Sequence, residues 1–129
     1  MAFLLDMHTF LWFLSGDEKL SKKALFKMLD VNKKCYLSIA SLWEITIKLQ
    51  LGKLELNFDF NFNELAEYLK RNHIEILTIN FDHLIVLYKL PLNHRDPFDR
   101  IIISQAIAEK FTIITQDSAF KSYKAKLLW

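Results

Sequence analysis

The sequence predicts one α/β domain, a three-layer α/β/α arrangement in which helices cover both faces of a central parallel sheet of four to five strands. Its 129 residues fit the size of a single domain spanning 1–129. Short apolar runs without alternation of polar and apolar residues are typical of strands buried on both faces. These runs alternate along the chain with segments of helical spacing, which indicates strand–helix units and a parallel sheet.

The first half of the chain is predicted to contain two strands and three helices. Its two glycines, Gly16 and Gly52, each follow an apolar helical run, as expected of C-caps. Ser21 is a suitable N-cap for the second helix. The predicted elements are a strand at 2–5, helices at about 8–15 and from Ser21 to about Leu29, a strand in CYLSIA at 35–40, and a helix at about 41–51.

The second half begins with an ambiguous segment, LELNFDFNFNE, in which apolar and polar residues alternate. It fits a short edge strand or, as we favour, an extended loop that lays its aromatic rings on the core. An amphipathic helix, NELAEYLKRN, overlaps its end, with Asn61 or Asn63 near the start. The other predicted elements are a strand in IEILTI, a helix in FDHLIVLYKL, a helix from Pro97 to about Lys110, a strand in FTIIT and a fifth strand in AKLLW.

The composition excludes several classes of protein. No glycine is left to form a phosphate-binding loop or a dinucleotide fingerprint, which excludes P-loop and Rossmann enzymes. The single cysteine, Cys35, excludes an intramolecular disulfide and a cysteine-rich zinc site. The apolar N-terminus lacks a basic segment, and no run approaches the roughly 18 apolar residues of a membrane span. We therefore expect a soluble cytoplasmic protein that does not enter a membrane.

The segment HRDPFDRIIISQAIAE places two aspartates just before an apolar run. Asp96 is a good N-cap, Pro97 then falls at the first helical position, and Asp99 lies where a capping box places an acid. Both acids could therefore serve only to start the helix. The alternative is that Asp96 caps the helix while Asp99 takes part in chemistry. His94 is expected to orient this block through a hydrogen bond.

Four acidic residues fall where strands end or the following helices begin. Asp6 ends the first strand, Asp117 follows the fourth, and Glu44 lies near the start of the helix after the second. In a parallel sheet these positions share one edge, and the long helix can bring Asp99 to them. Carboxylates about 4 Å apart repel by roughly 4 kcal/mol at an effective dielectric near 20, so such a cluster should bind cations or hold protons. Oxygen ligands alone suit Mg²⁺ or Mn²⁺, which serve phosphodiester hydrolysis.

The chain resembles a known family in four blocks that occur in register: LLDMHTFLWFLSGDEKLS, YLSIASLWEITIKLQLGKL, HRDPFDRIIISQAIAE and IITQDSAF. These look like the blocks of PIN-domain proteins, specifically VapC-type toxins of bacterial toxin–antitoxin pairs. The resemblance runs from Phe3 to the C-terminus. It implies a PIN-like fold, a Mg²⁺- or Mn²⁺-dependent endoribonuclease, a small cognate antitoxin that inhibits it, and a homodimer. By the same resemblance the catalytic and metal-binding acids are Asp6, Glu44, Asp99 and Asp117.

Two residues depart from the pattern of the family, and two arginines extend it. Met7 stands where many relatives carry a small or hydroxyl residue, and Gln116 stands where many carry an arginine that could hold a phosphate. Setting aside the four site acids leaves 11 acidic against 17 basic residues, an excess that is consistent with an RNA partner. Arg95 and Arg100 flank the acid pair and are candidates to bind RNA phosphate near the metal.

Two alternatives belong to other functional classes. A receiver-type signalling domain is also a single α/β domain with acids at strand ends. It needs adjacent acids after the first strand and a phosphoacceptor aspartate after the third, and neither pattern occurs here. A PIN-fold protein that has become a non-catalytic binding module is the other alternative, and the intact set of four acids argues against it.

Overall fold

Five parallel strands form one sheet, as the sequence predicts. The computed structural model describes residues 1–56, 58–59 and 61–129 of the chain. The strands are β1 (Ala2–Leu5), β2 (Lys34–Ser38), β3 (Ile74–Leu77), β4 (Thr112–Ile114) and β5 (Lys126–Leu128). Their order across the sheet is β3-β2-β1-β4-β5, and every neighbouring pair is parallel. The apolar strand β1 is therefore central, with two strands on each side.

Among the described residues, six helices cover the sheet and complete the three layers. They are α1 (Met7–Ser15), α2 (Lys22–Leu29), α3 (Ile39–Gln50), α4 (Phe62–Arg71), α5 (Phe81–Lys89) and α6 (Pro97–Glu109), and a 3₁₀ turn spans Ser118–Ser122. Phe3 and Leu5 of β1 pack into a core cluster with α1, α2, α3 and α4, whereas Leu4 packs into a second cluster with α6. Successive residues of a strand point to opposite faces, so β1 joins both cores.

Most predicted boundaries agree with the structure within two residues, and one strand is wrong at its end. The predicted strand at 35–40 includes Ile39 and Ala40, but these residues begin α3. The reason is Ser38, whose hydroxyl accepts a hydrogen bond from the backbone N–H of Ala40 at 3.1 Å and so caps the helix. Glu44 consequently lies in the second turn of α3, further from its start than predicted.

The segment at 54–64 is not part of the sheet in its described residues. Leu54 and Leu56 are partly buried and pack against the first core cluster, which agrees with a loop on the core. The aromatic part of that prediction is wrong for Phe62, which begins α4 and is 55% exposed. Asn57 and Phe60 lie outside the described residues. Asn61 is the N-cap of α4, one of the two asparagines predicted for this position.

Helix α5 is fixed to α6 through a buried histidine. His83 is fully buried, and its Nε2 lies 3.0 Å from a carboxylate oxygen of Glu109 at the end of α6. Its Nδ1 accepts from the backbone N–H of Asn80, while the side chain of Asn80 accepts from the N–H of His83. This capping box starts α5 and orients it, and thereby sets which face of α5 points to solvent.

Within the described residues, no helix combines the length and apolar character that crossing a membrane requires.

Candidate active site

Two of the candidate acids lie at the topological switch point of the sheet, between β1 and β4. After β1 the chain adds β2 and β3 on one side and then crosses to add β4 on the other. β1 and β4 pair in parallel, with Leu5 opposite Ile114, and their carboxyl ends border the crevice where open α/β sheets bind ligands. Asp6 directly follows β1, and Asp117 follows β4 after a short turn.

The carboxylate of Asp6 is buried and meets two hydrogen-bond donors. Its Oδ1 accepts from the backbone N–H of Thr9 at 2.7 Å, which makes Asp6 the N-cap of α1. Its Oδ2 accepts a short hydrogen bond from the hydroxyl of Thr115. The hydroxyl of Thr9 donates to the carbonyl of Ile114 at 2.8 Å and ties α1 to β4. A carboxylate has about four acceptor positions, so each oxygen keeps one for a further ligand.

Thr115 joins the two acids and was not singled out from the sequence. Its buried hydroxyl donates to Asp6 and accepts from the backbone N–H of Asp117 at 3.0 Å. The side chain of Asp117 is exposed and accepts from the N–H of Ala119, so that it caps the 3₁₀ turn. The only signal in the sequence is a hydroxyl residue between the last apolar residue of a strand and an acid. This pattern is too common to identify Thr115 as a functional residue by itself.

The two aspartates at the start of α6 have different surroundings. Asp96 is the N-cap, as predicted, because its Oδ1 accepts from the backbone N–H of Phe98 at 2.9 Å and of Asp99 at 3.2 Å. Asp99 instead directs its Oδ2 to Nε2 of His94 at 2.9 Å. The expected orienting hydrogen bond from His94 is thereby confirmed. Ligand-type atoms of His94, Asp96 and Asp99 all lie within 4.8 Å of one another.

The carboxyl group of Asp99 has a raised pKa. Burial raises the pKa of Asp99 to about 6, the hydrogen bond from His94 opposes the rise, and the neighbouring carboxylates of Asp96 and Asp117 add to it. The effect of Asp117 is the smallest of these contributions. Neighbouring like charges favour a bound cation or a retained proton.

Glu44 is buried on α3 and is held by a salt bridge. Its Oε2 lies 3.2 Å from the ammonium of Lys48, one turn further along the helix. The start of α3 is anchored by Ser38, which donates to the side-chain oxygen of Gln105 on α6 at 2.6 Å. In the part of the chain that the structure describes, no hydrogen bond or salt bridge joins Glu44 to the other three acids. A shared ligand would have to connect them.

The loop before α6 is clamped by a tyrosine and an arginine. The hydroxyl of Tyr123 accepts from the backbone N–H of His94 at 2.8 Å. The guanidinium of Arg100 donates to the carbonyl of Pro91 at 2.7 Å, to that of Leu90 at 3.3 Å, and to Tyr123 at 3.1 Å. These contacts fix the backbone that carries His94, and so they position its ring on Asp99.

The two arginines proposed for RNA binding therefore differ in their hydrogen bonds and in their exposure. Both terminal nitrogens of Arg100 are engaged with its own loop, which leaves little of its guanidinium for a phosphate. Arg95 is exposed and lies next to the acid pair. Phosphate binding by either residue stays a prediction, and Arg95 is the better placed of the two.

The donor set fits a hard divalent cation. The four acids supply only oxygen atoms, which Mg²⁺ and Mn²⁺ prefer, and no cysteine lies among them. Ser41 lies one turn before Glu44, and its hydroxyl is the only buried side-chain polar atom without a hydrogen-bond partner among the described residues. A buried unmet hydroxyl is commonly satisfied by an ordered water or ion. The resemblance in sequence implies that Asp6, Glu44, Asp99 and Asp117 would hold the ion, and this assignment stays a prediction.

Solved structures with the same fold come from bacterial complexes. VapBC2 of Rickettsia felis, bound to a promoter DNA fragment, matches with a TM-score of 0.75 at 19% identity over 100% of this chain and 99% of that one. VapBC-1 of nontypeable Haemophilus influenzae matches with a TM-score of 0.69 at 16% identity, covering 99% and 97%. VapBC-5 of Mycobacterium tuberculosis matches with a TM-score of 0.61 at 18% identity, covering 98% and 95%.

A comparison with curated protein sequences gives no significant match. The family model of the PIN domain matches residues 3–126, which includes all four acids and nearly the whole chain. The strand order, the acids at the switch point and this match agree, and the chain belongs to the PIN-domain family.

Proposed function

We propose that this protein is a Mg²⁺- or Mn²⁺-dependent endoribonuclease and the toxin of a toxin–antitoxin pair. The observation that supports this best is the set of acids around the carboxyl ends of β1 and β4. Asp6 and Asp117 are joined there through the hydroxyl of Thr115, and the pKa of Asp99 is raised to about 6, mainly by burial and further by the carboxylates of Asp96 and Asp117. A metal-dependent nuclease needs such acids, whereas a non-catalytic binding module does not. A receiver-type domain also uses acids at strand ends, but it needs adjacent acids after the first strand and an aspartate after the third, and this sequence has neither pattern.

The proposed mechanism is hydrolysis of an RNA phosphodiester. When bound, the ion supplies a water-derived nucleophile at neutral pH and offsets charge that develops on the phosphate. Asp6, fixed by Thr9 and Thr115, provides a rigid oxygen ligand. Asp99 is held by His94 and provides a second one. Preorganised ligands need no rearrangement when the substrate arrives, which is the condition for efficient stabilisation of the transition state.

The antitoxin proposal rests on the resemblance in sequence and on the solved neighbours. VapBC-5 belongs to the VapBC family of toxin–antitoxin systems, and a toxin–antitoxin complex from Klebsiella pneumoniae also shares this fold, with a TM-score of 0.64 at 14% identity. We propose that this protein likewise binds a small cognate antitoxin in the cytoplasm.

The proposed homodimer has a suitable surface on α5. Phe81, Leu84, Ile85 and Tyr88 lie on the side of α5 opposite α6. Together with Leu92, which lies just beyond the end of the helix, they form an apolar stripe with exposed fractions from 41% for Ile85 to 90% for Tyr88. At roughly 200 Å² for a fully exposed large side chain, this stripe offers about 700 Å². A standard interface buries about 800 Å² per partner, so the stripe is nearly large enough by itself.

The stripe is also complementary to itself. In an antiparallel pair of α5 helices around a two-fold axis between Leu84 and Ile85, Phe81 lies opposite the partner's Tyr88. Asp82 and Lys89 lie on the same flank of the helix, so each aspartate comes near the partner's Lys89. A two-fold interface requires exactly such pairing of a surface with itself, which favours a second copy of the chain as the occupant.

We predict that the purified protein cuts RNA only with Mg²⁺ or Mn²⁺. The acids cannot activate water at neutral pH without the ion, so EDTA should stop cleavage and added Mn²⁺ should restore it. Cleavage of an RNA pool, followed on denaturing gels, is the measurement. Full activity in EDTA would exclude the metal mechanism.

We predict that Asp99→Asn stabilises the metal-free protein at pH 7 to 8 and removes cleavage. The folded-state pKa of about 6 lies above the usual 3.8, so the native state loses stability as pH rises between these values. The loss is at most about 3 kcal/mol, since Asp99 is partly exposed. The asparagine avoids it, and the gain should vanish below pH 4. An amide is a poor ligand for Mg²⁺, so cleavage should fall by orders of magnitude.

Thermal melts across this pH range test the predicted effect of Asp99→Asn on stability, and cleavage assays test its effect on activity. Variants of Asp96 are the matched controls. Asp96→Asn keeps the cap and should be nearly neutral, whereas Asp96→Ala should cost about 1 kcal/mol at all these pH values. Both should retain most activity per folded molecule. Loss of cleavage in Asp96→Asn together with retention in Asp99→Asn would reverse the assigned roles.

We predict growth arrest when the gene is expressed alone, and rescue when the neighbouring small gene is expressed with it. Asp99→Asn should abolish the arrest while it still co-purifies with the antitoxin, because the ligand change leaves the fold intact. Growth curves and affinity purification measure both effects. Harmless expression of a folded protein that cuts its own target RNA would contradict the toxin role.

We predict that Tyr88→Glu converts a dimer into a monomer. Tyr88 is 90% exposed, so the change cannot disturb the core, but it places a charge in the proposed interface. Sedimentation velocity is the measurement, and Phe26→Glu on α2, also an exposed aromatic, is the control. A dimer that persists in Tyr88→Glu, or a wild-type monomer at micromolar concentration, would overturn this interface.

A further inference from the structure

An exposed tryptophan stands beside the candidate active site. Trp43 directly precedes Glu44 on α3 and is 58% exposed, which is unusual for the largest apolar side chain. Its indole packs edge-on against the ring of Phe98, with 5.1 Å between centroids and an interplanar angle of 76°. Phe98 in turn directly precedes Asp99 on α6. The ring pair therefore links the two helices that carry Glu44 and Asp99.

Trp43 stays 58% exposed in spite of this contact, so more than half of its surface is open to solvent. Phe98 is partly buried in the second core cluster and supports the indole from one side. The first turn of α6 is held by the cap of Asp96, which accepts from the N–H of Phe98. The indole is thus supported by a rigid element, and a flat ligand could stack on it without rearrangement of the backbone.

We propose that Trp43 is a stacking platform for an unpaired nucleobase of single-stranded RNA next to the phosphate that is cut. This inference rests on the proposed nuclease function and names the form of its substrate. Bases in single strands stack on exposed aromatic side chains, whereas bases within a duplex are already stacked and paired. The contact between Trp43 and Phe98 brings together the parts of α3 and α6 that carry Glu44 and Asp99, so a base on the indole would lie on the same side of the molecule as these acids.

The exposure of the ring favours this surface over a second aromatic pair. His8 and Trp12 lie 5.8 Å apart, but Trp12 is partly buried and packs against the first core cluster and against Trp129, so less of its ring is open to a base. The platform also has the exposed Arg95 three residues before Phe98, and a cation there can hold a flanking phosphate.

Binding in EDTA tests the platform without cleavage. The probe is a fluorescein-labelled single-stranded decaribonucleotide of mixed sequence, compared with the same strand in a duplex, and anisotropy gives Kd. The variant Trp43→Ala loses the stacking of one base, so its Kd for the single strand should be about tenfold higher than that of the wild type, or more. Trp43→Tyr should keep most of the affinity, because a tyrosine ring also stacks. Phe26→Ala, which removes a ring exposed on α2, should change Kd less than about twofold.

Steady-state cleavage with Mg²⁺ gives an independent readout. Trp43→Ala should raise KM with kcat nearly unchanged, because stacking stabilises substrate and transition state alike. Equal affinity of Trp43→Ala and wild type for the single strand would overturn the proposal. So would equal affinity of the wild type for strand and duplex, or a Trp43→Ala effect confined to dimer formation or antitoxin binding in sedimentation experiments.

The platform and the nuclease can fail separately. A protein that binds the single strand through Trp43 but cuts no RNA with Mg²⁺ or Mn²⁺ keeps the platform and loses the nuclease. A protein that cuts RNA equally well in wild type and Trp43→Ala, with unchanged KM and Kd, keeps the nuclease and loses the platform. Thermal melts of both Trp43 variants establish that each is folded.

Discussion

The buried carboxylate of Asp6 is the constraint around which this site is organised. A charge taken out of water is costly unless hydrogen bonds meet it, and here the N–H of Thr9 and the hydroxyl of Thr115 do so. The first bond starts α1 and the second joins β1 to the end of β4. Because Thr115 also accepts from the N–H of Asp117, one hydroxyl sets the spacing of two acids. The same contacts thus stabilise the fold and preorganise the site.

Asp99 presents the opposite case, a carboxyl group whose surroundings do not fully compensate its charge. One histidine opposes a pKa that burial and two other carboxylates raise. The clamp formed by Arg100 and Tyr123 acts on this balance indirectly, because it fixes the backbone of His94. A site that is incompletely compensated when empty has free energy to gain from a cation, which is the physical link between this strain and the proposed metal dependence.

The exposed apolar groups fall on surfaces with distinct chemistry. The stripe on α5 is broad, aliphatic and aromatic, and flanked by both signs of charge, which suits a second copy of the chain. The Trp43 surface is a single indole near the exposed cation of Arg95, which suits a flat, phosphate-bearing ligand. Cys35, by contrast, is buried in β2, and burial raises the pKa of its thiol to about 11. The thiol therefore stays protonated at neutral pH, and Cys35 serves as a small core residue.

The amino-acid sequence by itself determined the features that depend on neighbours along the chain. The apolar runs specify strands, and the caps at Asp6, Ser21 and Asp96 follow from side chains that bond their own helix within three residues. The parallel topology then places acids at strand ends on one edge, and the family resemblance pointed to the same four residues. One local prediction is wrong at Ser38. The apolar residues Ile39 and Ala40 indicate a longer strand, but the hydroxyl of Ser38 caps α3 and ends the strand there.

Only the tertiary structure decided which groups meet across the chain. The bond between Thr115 and Asp6 spans 109 positions, and the one between Tyr123 and the backbone of His94 spans 29. Nothing in the local pattern distinguishes Arg100, engaged with carbonyls, from Arg95, exposed to solvent. The same holds for Trp43, whose helical spacing predicts a core residue although the side chain is 58% exposed. Such pairings depend on how strands and helices pack, and the pattern of residues along one element does not contain that information.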